Sequence, residues 1–272
     1  ITICQLYAKG DYMKAKIVKK EYLNEDLLLP FYKYLEEKKI EIVDEIISAD
    51  IMITLGGDGT ILSAAQEILE KDIPILAINM GSLGYLADVK LEECFSMLDN
   101  ILEGKYDVEK RCFLEVKKND EIFYALNELV IAKGGLKSKL INVEVYSNGR
   151  FINKYRADGI IISTPTGSTA YSLSAGGPII NPELSALSIT PLSPQSLTTR
   201  PIIVSGNTKL SFKISSRDDD VHMDIDGKMN CKIEEKDIIE ATLSTKTLTL
   251  IKPENRDYFK ILREKLKWGD LY

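Results

Sequence analysis

Histidine is almost missing from this chain: one residue, His222, in 272. That leaves imidazole-based general catalysis little support, and His222 itself reads as an ordinary sheet residue. The four cysteines, Cys4, Cys94, Cys112 and Cys231, are far apart and form no C-x-x-C pair. This argues against a zinc cluster and for reduced, mostly buried thiols in a cytoplasmic protein. A basic surplus is lacking as well: the net charge is −6 and the pI is near 5.1. A broad electrostatic nucleic-acid binder is thereby excluded, but not a small anionic ligand in a local cationic or N–H-rich pocket. No apolar run approaches the ~20 residues that cross a bilayer. Ile1–Tyr7 is too short, and too soon followed by polar residues, for a signal peptide. The first residue is not Met, which leaves room for residues ahead of it. Two familiar phosphate patterns are absent too: no G-x-x-x-x-G-K-[ST], and no G-x-G-x-x-G opening a helix.

What is present is an apolar content of 44%, enough for one large or two modest cores. Residues 1–105 alternate strand and helix patterns. Ile1–Tyr7, Ile40–Val43, Ile51–Leu55 and Ile75–Ile78 read as strands. Apolar stripes at helical spacing run through Leu27–Leu35, Ile61–Leu69 and Phe95–Leu102. The alternation predicts an α/β N-terminal domain with a mainly parallel sheet. Residues 106–252 switch to period two, with strands over Phe113–Lys117, Ile122–Ala132, Val143–Ser147, Phe151–Tyr155, Leu210–Ile214 and Leu248–Ile251. They predict a β-rich second domain, and Asn148-Gly149 a two-residue hairpin turn within it. Residues 253–272 return to helical spacing, as a C-terminal helix packing back on the first domain.

The segment Asp50-Ile-Met-Ile-Thr-Leu-Gly56-Gly57-Asp58-Gly59-Thr60 ends a buried strand in three glycines around one carboxylate, and an amphipathic helix follows at once. Glycines let phosphates approach the backbone and permit positive φ in a tight turn, and the helix N-terminus offers N–H groups and a positive dipole end. The plainer alternative is a turn in which Asp58 caps the helix. A carboxylate beside a phosphate cradle is electrostatically odd unless it holds Mg²⁺ or takes a proton from an attacking hydroxyl. Both roles fit phosphoryl transfer. A second long stretch, Asp158 to Pro178, runs from an acid through a short buried strand into a hydroxyl- and glycine-rich loop stiffened by Pro165, Tyr171 and Pro178. Its small donors suit a planar polar ligand with sugar and diphosphate.

Gly56-Gly-Asp-Gly-Thr60 resembles the signature shared by NAD kinases, diacylglycerol and sphingosine kinases and phosphofructokinases. The Asp158–Pro178 stretch is similar, almost residue for residue, to the NAD-binding signature of the NAD kinase family. Asn127-Glu128, the loop Asn79-Met-Gly-Ser-Leu-Gly84, Thr199-Arg-Pro201 and the tail Leu262–Gly269 match in order. The resemblance implies a kinase that transfers the γ-phosphoryl group of ATP, or of polyphosphate, to the adenosine ribose 2′-hydroxyl of NAD. A lipid or sugar kinase of the same superfamily and a non-catalytic dinucleotide sensor are the alternatives; neither needs both constellations.

Carried onto this chain, the resemblance makes Asp58 the general base, with Gly56, Gly57 and Gly59 beside the ligand. Asn127 and Glu128 would hold the adenosine portion of NAD. Asp158, Thr169, Ala170, Tyr171 and Ser174 would line the adenine and diphosphate region, and Lys139 and Arg156 would approach the ligand, with a solvated basic surface as the plain alternative for both. Lys228 stands where the family commonly has Gln, and Gln195 where it commonly has His. Mg²⁺ would come with ATP rather than on dedicated protein ligands. The family also implies a homodimer or homotetramer in which Asp158 can reach a neighbouring subunit's site; charge and the lack of long apolar runs imply no nucleic-acid or membrane partner.

Overall fold

A computed structural model describes residues 12–81, 84–135, 138–254 and 257–268. The expected strand Ile1–Tyr7, Cys4, Ser82, Leu83 and Gly269 lie outside them. Internal contacts divide the chain into two units, Ile1–Lys110 with Leu248–Tyr272, and Arg111–Thr247.

The first unit holds β1 (Lys14–Lys19), α1 (Leu29–Glu37), β2 (Glu41–Ile42), β3 (Ile51–Gly56), α2 (Asp58–Ile68), β4 (Ile75–Asn79), β5 (Val89–Lys90) and α3 (Cys94–Glu103). Its strands pair in parallel in the order β2-β1-β3-β4. β3 is buried at every position, as a strand covered on both faces must be, which is why it reads as an almost continuous apolar run interrupted only by Thr54. Phe31 and Leu35 of α1 and Leu98 and Ile101 of α3 share one cluster with Ile53, Leu55, Leu76 and Ile78. α2 starts directly off the end of β3.

Both layers of the second unit are built from antiparallel pairs. Along the chain come β6 (Asp107–Lys118), β7 (Glu121–Ala125), β8 (Glu128–Lys133), β9 (Ile141–Ser147), β10 (Arg150–Ala157), β11 (Gly159–Ser163), the short α4 (Tyr171–Ser174), β12 (Ala186–Leu192), β13 (Ile202–Ser205), β14 (Leu210–Ser215), β15 (Val221–Ile225), β16 (Met229–Ile233) and β17 (Ile239–Lys252). One sheet has the order β13-β12-β11-β8-β15-β16. A second layer contains β10-β9-β14 and the start of β17. Alternate residues of both layers, among them Leu129, Ile131, Ile160, Ile162, Val143, Val145 and Phe212, fill one core. Asn148 (φ 48°) and Gly149 (φ 78°) form the expected turn between β9 and β10.

The end of β17 pairs in parallel with β4, and α5 (Tyr258–Leu266) follows within the first unit. It buries Ile261 and Leu262, and Lys265 Nζ lies 5.4 Å from the Tyr85 ring centre.

One expected strand is wrong. Ile122–Ala132 is not continuous: β7 ends at Ala125 and β8 begins at Glu128. β7 pairs β6, whereas β8 pairs β11 and β15, so the chain changes sheets across Leu126-Asn127. Strands β1, β5, β12, β13, β15 and β16 also lie outside the expected ones.

Candidate active site

The glycine turn occupies the C-terminal end of β3, the end at which parallel α/β sheets commonly bind ligands. None of Gly56, Gly57 and Gly59 has positive φ, so the turn does not depend on left-handed backbone. Their use is room. A Cβ on Gly56 would strike the Thr60 side chain, whereas Gly57 and Gly59 face open space. A cleft of about 650 Å³ lies over them, lined by Lys20, Tyr22, Thr60 and Ser63. Lys20, just past the end of β1, is a cation beside this turn that sequence reading missed; the Lys19-Lys20 pair following Ile17-Val18 was the available signal.

Asp58 is the first residue of α2 yet caps nothing: the helix N-terminus has no side-chain cap. Its carboxylate reaches instead to the segment after β4. Oδ1 accepts N–H bonds from Leu86 and Ala87, both at 3.0 Å, and Oδ2 accepts one from Tyr85 at 2.9 Å. A carboxylate has about four lone-pair positions; three are used, and the open one is on Oδ2. Gly84 is required here because a Cβ would collide with Asp58 Oδ1 and the Ala87 carbonyl. That carbonyl accepts from Gly84 N and Asn79 Nδ2, each at 2.9 Å, so Asn79, Gly84 and the acid share one hydrogen-bonded frame.

In the second unit the candidates fall into two groups at opposite ends of the β8–β11 pair. At one end are Asn127 and Glu128. Glu128 is 7% exposed and sits opposite Ser163, which in turn sits opposite Ser188. This polar row lies on the side of the sheet away from the apolar core and is nevertheless buried, beneath the segment that carries Thr169, Ala170, Tyr171 and Ser174. Ser172 Oγ reaches Thr190 Oγ1 at 3.0 Å, and Ser168 Oγ accepts from Ile180 N at 2.9 Å. Among the described residues, Glu128 Oε2 and Ser163 Oγ are buried without a hydrogen-bond partner. Burial, reinforced by Asp226 and Asp224, pushes the Glu128 carboxyl up to about 8. Tyr171 is about half exposed.

The group that orders this end is Asp226, which sequence reading passed over. It occupies the β15–β16 turn with φ 54°, followed by Gly227 at φ 68°. Its carboxylate accepts Leu126 N at 2.7 Å, Asn127 N at 2.8 Å and Glu128 N at 3.0 Å. Burial raises its pKa, against the pull of those N–H groups. Gly167 packs so closely on Asn127 that a Cβ would overlap the Asn127 carbonyl, and Thr164 N donates to that carbonyl at 2.9 Å. Asp226-Gly227 flanked by alternating Val221, Met223 and Ile225 is a hairpin signal that was there to be read. Lys228 follows on the exposed side of the turn; burial of its head lowers its pKa, partly offset by Asp226.

Asp158, Lys139 and Arg156 belong to the other end. Asp158 pairs with Lys133 Nζ at 2.6 Å, five residues along β8 from Glu128, or about 16 Å at ~3.3 Å per residue. Lys139 Nζ lies 3.8 Å from Asp218, and Arg156 is exposed on β10. A larger cleft of about 730 Å³, lined by Glu144, Tyr146 and Lys213, contains none of the candidate residues.

Models of the ATP-NAD kinase N-terminal and C-terminal domains match residues 13–106 and 126–253. Over 241 residues the chain is 42% identical to the NAD kinase of Fusobacterium nucleatum subsp. nucleatum, covering 88% of this chain and 90% of that one.

The chain belongs to the NAD kinase family.

An NAD kinase of Geobacter sp. (strain M21) is 42% identical over 228 residues, 82% of this chain and 79% of its own. In fold the chain is similar to an NAD kinase from Archaeoglobus fulgidus in complex with ATP, with TM-score 0.81 and 27% identity over 94% of this chain and 99% of that one. It is also similar to yeast NADH kinase complexed with NADH, with TM-score 0.88 and 24% identity over 96% and 89%. NAD kinase function makes the protein a phosphotransferase, and the lipid-kinase, sugar-kinase and sensor alternatives fall away. Among the described residues no helix is long and apolar enough to cross a membrane.

Proposed function

We propose that the adenosine ribose 2′-hydroxyl of NAD attacks the γ-phosphorus of ATP while hydrogen-bonded to Asp58 Oδ2, giving NADP and ADP. The observation that carries this is the Asp58 carboxylate, fixed by three N–H bonds with an acceptor position remaining on Oδ2. In a loose phosphoryl-transfer transition state the proton leaves late, so an oriented acceptor matters more than a strong base. The α2 N-terminus and Lys20 support binding of the triphosphate in the cleft over Gly57 and Gly59. Among the described residues no three His, Cys, Asp or Glu groups gather as metal ligands, and Asp58 spends most of its acceptor capacity on backbone. Mg²⁺ therefore enters with ATP, on the phosphates. Polyphosphate offers the same oxygens and differs only in lacking the nucleoside.

Asn127 and Glu128 take the adenosine of NAD, with the partnerless Glu128 Oε2 and Ser163 Oγ as the polar atoms a ligand hydroxyl would satisfy. Asp158, Lys139 and Arg156, at the other end of β8 and β11, act on NAD bound to a neighbouring copy, which makes the working form a homodimer or homotetramer. The free thiols Cys94, Cys112 and Cys231 suit the cytoplasm. Asp58→Asn tests the chemistry. It should keep NAD affinity by calorimetry and lose about 10²–10⁴-fold in kcat; wild-type turnover would remove Asp58 from the mechanism.

A further inference from the structure

We propose that Lys252, at the end of β17, is a positioning residue that holds Asp58 through a single peptide unit. Lys252 is 5% exposed. Its Nζ donates to the Leu86 carbonyl at 3.0 Å and to Asp88 Oδ2 at 3.1 Å, with Glu109 Oε2 at 3.9 Å. The Leu86 carbonyl and the Ala87 N–H belong to the same planar trans peptide, in which C=O and N–H point in opposite directions. Lys252 holds the oxygen of that unit, and Asp58 Oδ1 holds its N–H at 3.0 Å.

The peptide dipole is thus aligned between an ammonium and a carboxylate, each stabilising the orientation the other needs. Rotating the unit would turn its oxygen toward Asp58 and its N–H toward Lys252, which is unfavourable at both ends. Asp58 in turn depends on this run, since among the described residues every hydrogen bond to its carboxylate comes from Tyr85, Leu86 or Ala87. Lys252 touches no atom of the proposed reaction, and its effect on turnover passes through the placement of Asp58 Oδ2. The proposal therefore rests on the role given to Asp58.

The ion pair with Asp88 must be separated from the hold on the peptide. In Lys252→Met/Asp88→Asn the two most buried charges are removed together, so Asp88 is not left as a buried carboxylate opposite a methyl group, and Glu109 keeps access to solvent. The expected result is a folded enzyme with Tm within a few degrees of wild type. Its KM values for NAD and ATP should lie within about twofold, and kcat about 10- to 100-fold lower, the scale of a small misplacement of a catalytic group. Placed on Asp58→Asn, the same pair should cost no further turnover, because both changes act on one group. Wild-type kcat in the folded Met/Asn pair, or a full additional loss in the Asp58→Asn background, would overturn the proposal. Retained turnover in Asp58→Asn alone would instead strike at the reading of Asp58. If the Met/Asn pair does not fold, Lys252→Arg carries the test by hydrogen–deuterium exchange of residues 84–88 alongside kcat. Protection and turnover should be kept or lost together; a tenfold loss of kcat with protection unchanged would refute the peptide route.

Discussion

Two aspartates in this molecule perform the same physical operation. Asp58 and Asp226 each gather three successive backbone N–H groups into one carboxylate, and so fix the conformation of a segment distant in sequence. Such bonds to a charged acceptor are worth more than neutral ones. Glu128 is the opposite case: a buried carboxyl lacking a partner for Oε2, beside two acids. Its pKa rises from an ordinary 4.5 to about 8, so the folded protein holds a proton there that the unfolded chain releases above about 4.5. The contribution to stability is therefore lost as pH rises from about 4.5 through about 8. Glu128→Gln, neutral at every pH, should gain in Tm over wild type by a few degrees near pH 9 and lose that advantage near pH 5. A Tm difference independent of pH, followed by scanning calorimetry, would show that the carboxyl is not held protonated.

At the scale of elements, the β15–β16 hairpin exists to present Asp226 to the gap between β7 and β8. Asp226→Asn exchanges one acceptor oxygen for an NH₂ that faces a backbone N–H. The Asn127-Glu128 segment should loosen, and KM for NAD should rise about tenfold or more while KM for ATP stays within about twofold, since a buried bond to a charged group is worth about 1.5–3 kcal/mol. Unchanged KM for NAD in Asp226→Asn, with Asn127→Ala defective, would confine Asp226 to stability. These elements also show what could be read beforehand. The buried run of β3 and the helical stripe after it were plain because parallel strands covered on both faces are continuously apolar, and the Asn148-Gly149 turn was plain because its φ values demand such residues. The break at Leu126-Asn127 was hidden. Strand-forming residues flank it on both sides, Ile122–Leu126 before and Leu129–Ala132 after, and what interrupts the strand is a carboxylate about a hundred residues away, which no local pattern reports. The same holds for Asp58: its glycine turn was legible, but the N–H groups that orient it come from 27 to 29 residues further on.

At the scale of the whole molecule, the residues proposed to recognise NAD in the second unit divide between the two ends of the β8–β11 pair. Resemblance could place Asp158, Lys139 and Arg156 near NAD, but only strand register shows that Asp158, paired with Lys133, lies about 16 Å along β8 from Glu128. If they serve a neighbouring copy, Asp58→Asn and Arg156→Ala, each impaired alone, should complement when co-expressed, because a mixed assembly contains some sites with neither defect. Activity no higher than the mean of the two parents, in an assembly shown by light scattering to be mixed, would place all these residues in one chain's site. Phosphoryl transfer to NAD is tested most directly by incubating the wild-type protein with NAD, Mg²⁺ and either ATP or polyphosphate, and reading NADP with an NADP-specific dehydrogenase. NADP should accumulate with ATP and fall by at least about a hundredfold in rate for Asp58→Asn; no NADP from the wild-type protein with either donor would contradict the account.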